Sequence, residues 1–319
     1  TVNPTARLTL DYFHQRDVYA DDPFTDLVEP SIPFNLAVMV RNQGAGAARN
    51  FRITSAQPTI IENEKGLLID FKIIATEVAG QNMTPTLTAN FGTIPPGGIS
   101  VARWLLTSTL QGLFIDYNAT FEHLDGQGNP RLSLIDEVRI HEMNRLVQAG
   151  PPFDDGLPDF LVNDVADSRD LPDTLWLSDG SSNHVAVATN ASVSGTLSPL
   201  NLQVELSADL PGGWAYLRVP DPANGLYRLV GVQRSDNVVI RVETNAWVTD
   251  RTFIGQGRRP ARENILHLLD YNSTGQYTLL YAPLPTVDNE PPASSVEALP
   301  AQSHAAFLVR WSGQDNPGG

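Results

Sequence analysis

The sequence predicts an all-β protein built as tandem β-sandwich domains joined by Pro-rich linkers, and three observations lead there. Apolar residues alternate with polar ones in short runs, the period-two pattern of half-buried strands. Turn-forming clusters interrupt those runs at a spacing of about 8–12 residues, the rhythm of a sandwich. The composition supplies both needs: 41% hydrophobic residues for packed cores, and 24 Gly with 24 Pro for turns and linkers.

The clearest strand pair lies between Pro33 and Ile53. Phe34, Leu36, Val38 and Val40 alternate, a Gly/Asn-rich connection from Asn42 to Ala48 follows, and Phe51 and Ile53 resume the alternation. Ahead of it, Ala6 to Leu10 reads as an edge strand followed by a loop. The loop carboxylates Asp17, Asp21, Asp22, Asp26 and Glu29 are of the type that gathers around a hard cation, and equally of the type that decorates a solvated turn. After Ile53, Leu67 to Ile74 reads as a strand apolar enough for both faces to be covered. Leu87, Ala89 and Phe91 alternate again. Ile94-Pro95-Pro96-Gly97-Gly98 is a turn, because proline cannot donate to a sheet ladder. Val101 to Leu106 and Phe114 to Phe121 supply two more strands, Asp125-Gly126 a hairpin-type turn, and Ile135 to Ile140 a closing strand. Leu134 to Val147 also fits a short amphipathic helix; the alternation of Val138 and Ile140 favours a strand for its first half.

The Asn-x-Gly-x-Gly-x-Ala pattern at Asn42 to Ala48 follows an apolar strand, and some way on a Pro-Gly turn precedes the strand containing Trp104. Over about residues 30–142 this resembles the CARDB-like bacterial Ig-like modules, named for cell adhesion. The resemblance implies an Ig-like sandwich acting as an extracellular spacer or adhesive module, and it brings no catalytic residues. The long insert between Ile53 and Leu87 departs from the family pattern and leaves the strand count open.

Residues 1–149 thus form a first Ig-like domain, bounded by Ala149-Gly150-Pro151-Pro152. The acidic stretch that follows places Asp154, Asp155, Asp159, Asp164 and Asp167 in loops, the oxygen-rich setting in which Ca²⁺ binds when several carboxylates converge. The spacing is not that of an EF-hand, and solvated turns are the plainer alternative. From Thr174 the pattern is β again, through Leu175 to Leu177, Val185 to Val187, Leu202 to Leu206, Trp214 to Val219, Leu229 to Val232 and Val238 to Val242. Asn264 to Asp270 and Gly275 to Tyr281 read as a closing hairpin, which makes residues 150–284 a second sandwich. In it Trp214 and Tyr216, with Trp176 and Trp247, are candidates for a sugar-stacking platform, although strand aromatics ordinarily fill cores.

Residues 285–319 hold a Pro-rich linker and two strands, Ser295 to Pro300 and Ala306 to Gly313, which resemble the start of a fibronectin type III-like module. Two alternatives follow: a piece cut from a longer tandem array, which is favoured, or strands donated to the sheet edge of another copy. The first residue, Thr1, reads as that of a processed or excised piece.

The net charge of −15 argues against a nucleic-acid binder, since Arg258-Arg259 with Arg262 is the only basic cluster. The apolar runs are too short to span a bilayer. The chain has no cysteine, and hence neither a disulfide framework nor a thiolate metal site. His141-Glu142 opens like a zincin motif, but Arg145 stands where the second histidine belongs. Neither a Gly-x-Ser-x-Gly elbow nor a phosphate loop is present. Asn82, Asn118, Asn190 and Asn272 head Asn-x-Ser/Thr sequons. The expectation is a non-enzymatic structural or adhesive segment of a large secreted or cell-surface prokaryotic protein, with other copies or neighbouring domains as partners and no resident cofactor beyond Ca²⁺. The alternative is a carbohydrate-binding module with Trp214 and Tyr216 on a surface glycan.

Overall fold

The computed structural model describes residues 4–23, 25–26, 28–53, 69–113, 134–165, 171–251, 262–284, 293–296 and 311–314. Among them all regular structure is β-strand. The first part of the chain forms β1 (Leu8–Gln15), β2 (Asp17–Val18), β3 (Phe34–Asn42), β4 (Ala48–Ile53), β5 (Phe71–Val78), β6 (Gln81–Met83), β7 (Ala89–Ile94), β8 (Ile99–Ser108), β9 (Gly112–Leu113) and β10 (Ile135–Val147). The second forms β11 (Asp159–Val162), β12 (Thr174–Trp176), β13 (Ser182–Val187), β14 (Thr189–Ser194), β15 (Gln203–Asp209), β16 (Trp214–Pro220), β17 (Tyr227–Arg234), β18 (Val239–Ile240), β19 (Ala246–Thr249), β20 (Ile265–Tyr271) and β21 (Gln276–Pro283). β22 (Ala293–Val296) and β23 (Trp311–Gln314) pair antiparallel with each other. The expected strand Phe114 to Phe121, the Asp125-Gly126 turn, Arg258-Arg259, Asn118 and the linker 285–292 lie outside the described residues.

One twelve-stranded sheet, in the order β19-β20-β16-β13-β12-β11-β10-β1-β3-β8-β5-β6, runs through both parts of the chain. β10 makes the passage. It pairs parallel with β1, Tyr12 opposite Ile140, and antiparallel with β11, Val147 opposite Asp159. The sheet therefore continues across the Ala149–Pro152 connection. The residues that fit either helix or strand, Leu134 to Val147, form a strand from Ile135 onward. Tertiary pairing decides such a short segment, because β1 and β11 supply ladder partners on both sides.

Among the described residues, four apolar cores lie against this sheet. In the first, Leu8, Leu10, Tyr12, Leu36, Val38 and Trp104 face Phe51, Ile53, Phe91 and Ile94 of the separate β4–β7 pair. Two sheets closing on alternating inward residues is the sandwich arrangement. The opposite face of β1, β3 and β8 builds a second core, in which Phe13, Met39 and Val101 meet Met143, Phe160, Val162 and Trp176. The third core collects Leu161, Leu175, Val185, Trp214, Tyr216, Trp247 and Leu269. The fourth lies between β16, β19 and β20 and a five-stranded sheet ordered β14-β15-β21-β17-β18, with Leu217, Val219, Leu266 and Leu268 facing Leu206, Leu229, Tyr277 and Leu279.

Three expectations are corrected here. The Ala6–Leu10 segment is no edge strand: β1 sits between β10 and β3 and is buried on both faces. Asp11 in its middle disguises that burial. Second, β5 is covered on one side only, its burial alternating between half-buried and exposed up to Thr76. Third, Ile265–Tyr271 and Gln276–Pro283 do not form a hairpin. β20 pairs with β16 and β19 in the long sheet, whereas β21 pairs with β15 and β17 in the other. The chain crosses between layers at Asn272–Gly275. Gly275 has φ +73 there, and a β-carbon on it would lie 2.3 Å from the Ala208 carbonyl oxygen, so only glycine fits.

The glycines of the Asn42–Ala48 connection serve close approach rather than turn geometry. A β-carbon on Gly46 would lie 2.0 Å from the Pro4 carbonyl oxygen, and one on Gly44 2.4 Å from the Arg7 nitrogen. Residues 4–7 can therefore lie flush against the loop. Buried Asn42 ties it together: Nδ2 donates to the carbonyls of Gly46, Ile94 and Pro95 at 2.8, 3.0 and 3.1 Å, and Oδ1 accepts from the Gly44 and Arg7 amides.

Candidate functional site

The strongest concentration of polar chemistry lies where the sheet turns from its first part to its second. Asp11 is on the face of β1 opposite Leu10 and Tyr12, so it points away from the first core and is fully buried. Arg139 stands directly across from it on β10 and donates from Nε to Oδ1 at 2.6 Å. Arg41, at the end of β3, places Nη2 2.8 Å from Oδ2 as an ion pair. His141, two residues beyond Arg139 on the same face, has Nε2 3.3 Å from Oδ1. A buried carboxylate held by two guanidinium groups has its charge compensated at the site where it is desolvated.

His141 then reaches the second part of the chain. Its Nδ1 lies 2.8 and 3.1 Å from the two oxygens of Asp164, beyond β11. Asp164 is itself oriented: Trp176 Nε1 donates to its Oδ2 at 3.1 Å, and Asp173 accepts the backbone amides of Asp164 and Val165 at 3.3 and 2.7 Å. Rings floor the cluster. Phe13 stacks on Phe160 at 4.0 Å although β10 lies between their strands, so the two rings reach over β10 to meet. The guanidinium groups of Arg41 and Arg139 sit 5.5 and 5.3 Å from the Trp176 ring, a cation–π distance.

Burial alone would push His141 down, but the hydrogen bonds it donates to Asp11 and Asp164 outweigh it and raise the group to about 9. Burial opposes ionisation of Asp164 as well, yet the bonds from His141 and Trp176 hold that carboxyl below its ordinary value. At neutral pH the His141–Asp164 pair is therefore charged on both sides. Both imidazole nitrogens are engaged by carboxylates, so the ring has no nitrogen left for a substrate. What the arrangement does is clamp β1, β3 and β10 to the β11–β12 connection.

A pH dependence follows. The folded value of His141 is raised, so its stabilisation is complete below the ordinary imidazole value of 6.5 and is lost as pH rises through about 9. Denaturant titrations of the protein and of His141→Gln at a series of pH values should show the gap between them closing over that window. A gap that stays constant from pH 6 to pH 10 would mean that the junction does not depend on this proton.

A second buried cluster lies in the third core. The Tyr216 hydroxyl is 2.7 Å from His267 Nδ1, and the Thr249 hydroxyl is 2.8 Å from Nε2. Burial, helped by Arg218 and Arg145, pushes His267 down to about 3. The ring is neutral, with one nitrogen donating and the other accepting. It stacks flat on Trp247, over whose ring Arg145 places its guanidinium at 5.2 Å.

The expected metal ligands are not brought together. Asp154 pairs with Arg241 and accepts the Gly156 amide; Asp155 bonds the Ser178 hydroxyl and the Leu157 amide. Asp159 is buried, accepting the amides of Ala149 at 2.6 Å and Ser178 at 2.8 Å, and burial raises it to about 6. Asp164 belongs to the junction, and Asp167 lies outside the described residues. Among the described residues no group of three or more acidic or histidine side chains is placed to hold a metal ion. In the N-terminal acidic loop, Asp21 and Glu29 accept the backbone amides of Glu29 and Asp22, and Glu29 pairs with Arg262. These carboxylates hold turns.

The sugar-stacking platform is also corrected. Trp214 and Tyr216 are each 4% exposed, and Trp176 and Trp247 are buried as well. Trp214 packs against Phe153 and Tyr271, so neither Trp214 nor Tyr216 offers a free face to a sugar. Sequence reasoning missed Asp11, Arg41 and Arg139, and met His141 only as an incomplete zincin motif. Their signal was present as a carboxylate inside an apolar strand and as a cation and a histidine two residues apart on another.

The fold and the junction define an all-β, layered-sheet protein. No protein-family model matches the chain, and no curated protein matches it. Among solved structures it is similar to the M1 zinc metallopeptidase of Deinococcus radiodurans at 10% identity over 97% of this chain and 47% of that one, with a TM-score of 0.17. It is likewise similar to a two-domain M1 zinc metallopeptidase bound to L-tryptophan, at 9% identity over 98% of this chain and 48% of that one, again with a TM-score of 0.17. The chain spans about half the length of these structures. A likeness of that degree carries no inference about this chain.

Proposed function

We propose that the chain is a non-enzymatic structural segment of a large secreted or cell-surface prokaryotic protein, in which Ig-like sandwiches follow one another along the chain. The observation that carries this reading is the twelve-stranded sheet passing through both parts, clamped at its turn by Asp11, Arg41, Arg139, His141 and Asp164. Independent modules strung on linkers move relative to one another by default, whereas a shared sheet with a buried polar junction transmits force and orientation. Most polar groups of that junction are engaged with one another, which suits a scaffold. The resemblance of residues 30–142 to CARDB-like modules points to the same setting.

Immunogold labelling of intact cells of the source organism tests the reading. Antibody raised against the folded chain should decorate unbroken cells or the material they shed. Labelling confined to permeabilised cells would overturn it.

A further inference from the structure

The two strands that bracket the first sandwich in the chain, β1 and β10, lie side by side and run the same way. They pair parallel along the whole of β1, from Leu8 opposite Ile135 to Gln15 opposite Met143. Chain entering the sandwich meets this ladder at its Leu8 end, and chain leaving through Val147 departs from the other end. Tension along the chain therefore pulls β1 back toward Leu8 and β10 forward toward Val147. These pulls are opposed and parallel to the strands. They slide one strand past the other and do not peel the two apart.

The hydrogen bonds of a parallel pair are evenly spaced along the strands, so sliding stretches all of them at once. Peeling opens the same bonds one pair at a time, each at a small force. Forced unfolding follows the unfolding barrier, and the barrier to sliding contains the whole ladder. Because side chains alternate with period two, the bonds cannot re-form in a native-like register until the strand has moved two residues, about 7 Å. Three features of β1 add to that barrier. Its other edge is held by β3, from Leu8 opposite Asn42 to His14 opposite Leu36. Leu8 to His14 are buried, where a hydrogen bond is electrostatically stronger than in water. Asp11 ties both edges at mid-strand, bonded to Arg139 of β10 at 2.6 Å and paired with Arg41 of β3 at 2.8 Å.

We infer that the β1–β10 ladder, pinned by Asp11, is a shear clamp that carries tension through the first sandwich. This deepens the scaffold reading, and its use in the organism rests on that reading. Single-molecule force spectroscopy of the intact chain tests it. The chain has no cysteine, so Asp136→Cys, at an exposed position next to the residue that faces Leu8, supplies a unique handle. One tether joins the two ends of the chain and slides the ladder. The other joins the N-terminus to position 136 and peels the ladder from its Leu8 end. Both use the same substituted protein, so any effect of the substitution is common to the two. The sliding event is recognised by a length gain of at least about 400 Å, since it frees the chain from Leu8 to Val147. At one pulling speed its force should exceed the peeling force at least about twofold. Equal or lower force overturns the clamp, and so does an end-to-end trace with no force peak of that length. Cell labelling reads location independently of force, so either idea can fail alone.

Discussion

Replacing Asp11 with Ala should destabilise the protein by about 3–5 kcal/mol, the range for removing one partner of a buried ionic network. The reason is the charge left behind. Arg139, Arg41 and His141 converge on this single carboxylate, which is fully buried. Without it, two guanidinium groups and an imidazole face each other in a site where solvent screens little. His141 would keep only Asp164 as an anion, so its pKa should fall as well. Guanidinium unfolding measures the first effect and proton NMR of the imidazole the second. A loss below about 1 kcal/mol, the range of an exposed pair, would remove the junction from any account of stability. Asp11→Asn is the useful companion, since it preserves shape and some hydrogen bonding while deleting the charge.

Phe160→Ala is expected to cost about 3–5 kcal/mol, as for other large aromatic-to-alanine changes in cores. Phe160 is completely buried and stacks on Phe13, so the change opens a cavity between β1 and β11. Its effect should also be regional. The core that holds Phe160 joins the two parts of the chain, whereas the first and fourth cores each belong to one part. Weakening the shared core should split a single unfolding transition into two. Hydrogen exchange of β3 and β8 would then report one free energy and that of β15 and β21 another. Equal loss of protection in both sets would show that the cores remain one cooperative unit even with the joint weakened.

Strand content was legible in the residues because alternation is local. Phe34, Leu36, Val38 and Val40 do face one core, and Trp104 does fill it. The Pro95–Gly98 turn and the Asn42 connection also stand where turn chemistry puts them. Pairing partners were far less legible. β20 and β21 are separated by four residues and both alternate, which is the pattern of a hairpin, yet they belong to different layers. Nothing within either strand distinguishes the two arrangements. The difference lies in the distant strands each pairs with, β16 and β19 for β20 and β15 and β17 for β21. The candidate ligands failed for a related reason. Asp154, Asp155, Asp159 and Asp164 are near in sequence, but Asp154 turns to Arg241, Asp155 and Asp159 to Ser178 and its surroundings, and Asp164 to His141.

By itself the sequence determined an all-β protein with turns at Asn42–Ala48 and Pro95–Gly98 and with cores adequate to fold without disulfides. Those properties follow from side-chain period and backbone freedom, which act over a few residues. Only the tertiary structure decided that β1 is interior, that one sheet takes strands from both sides of position 150, and that Asp11, Arg41, Arg139, His141 and Asp164 meet. Burial and ion pairing depend on which strands lie side by side, and that is settled by contacts more than a hundred residues apart, such as Asp11 with Arg139.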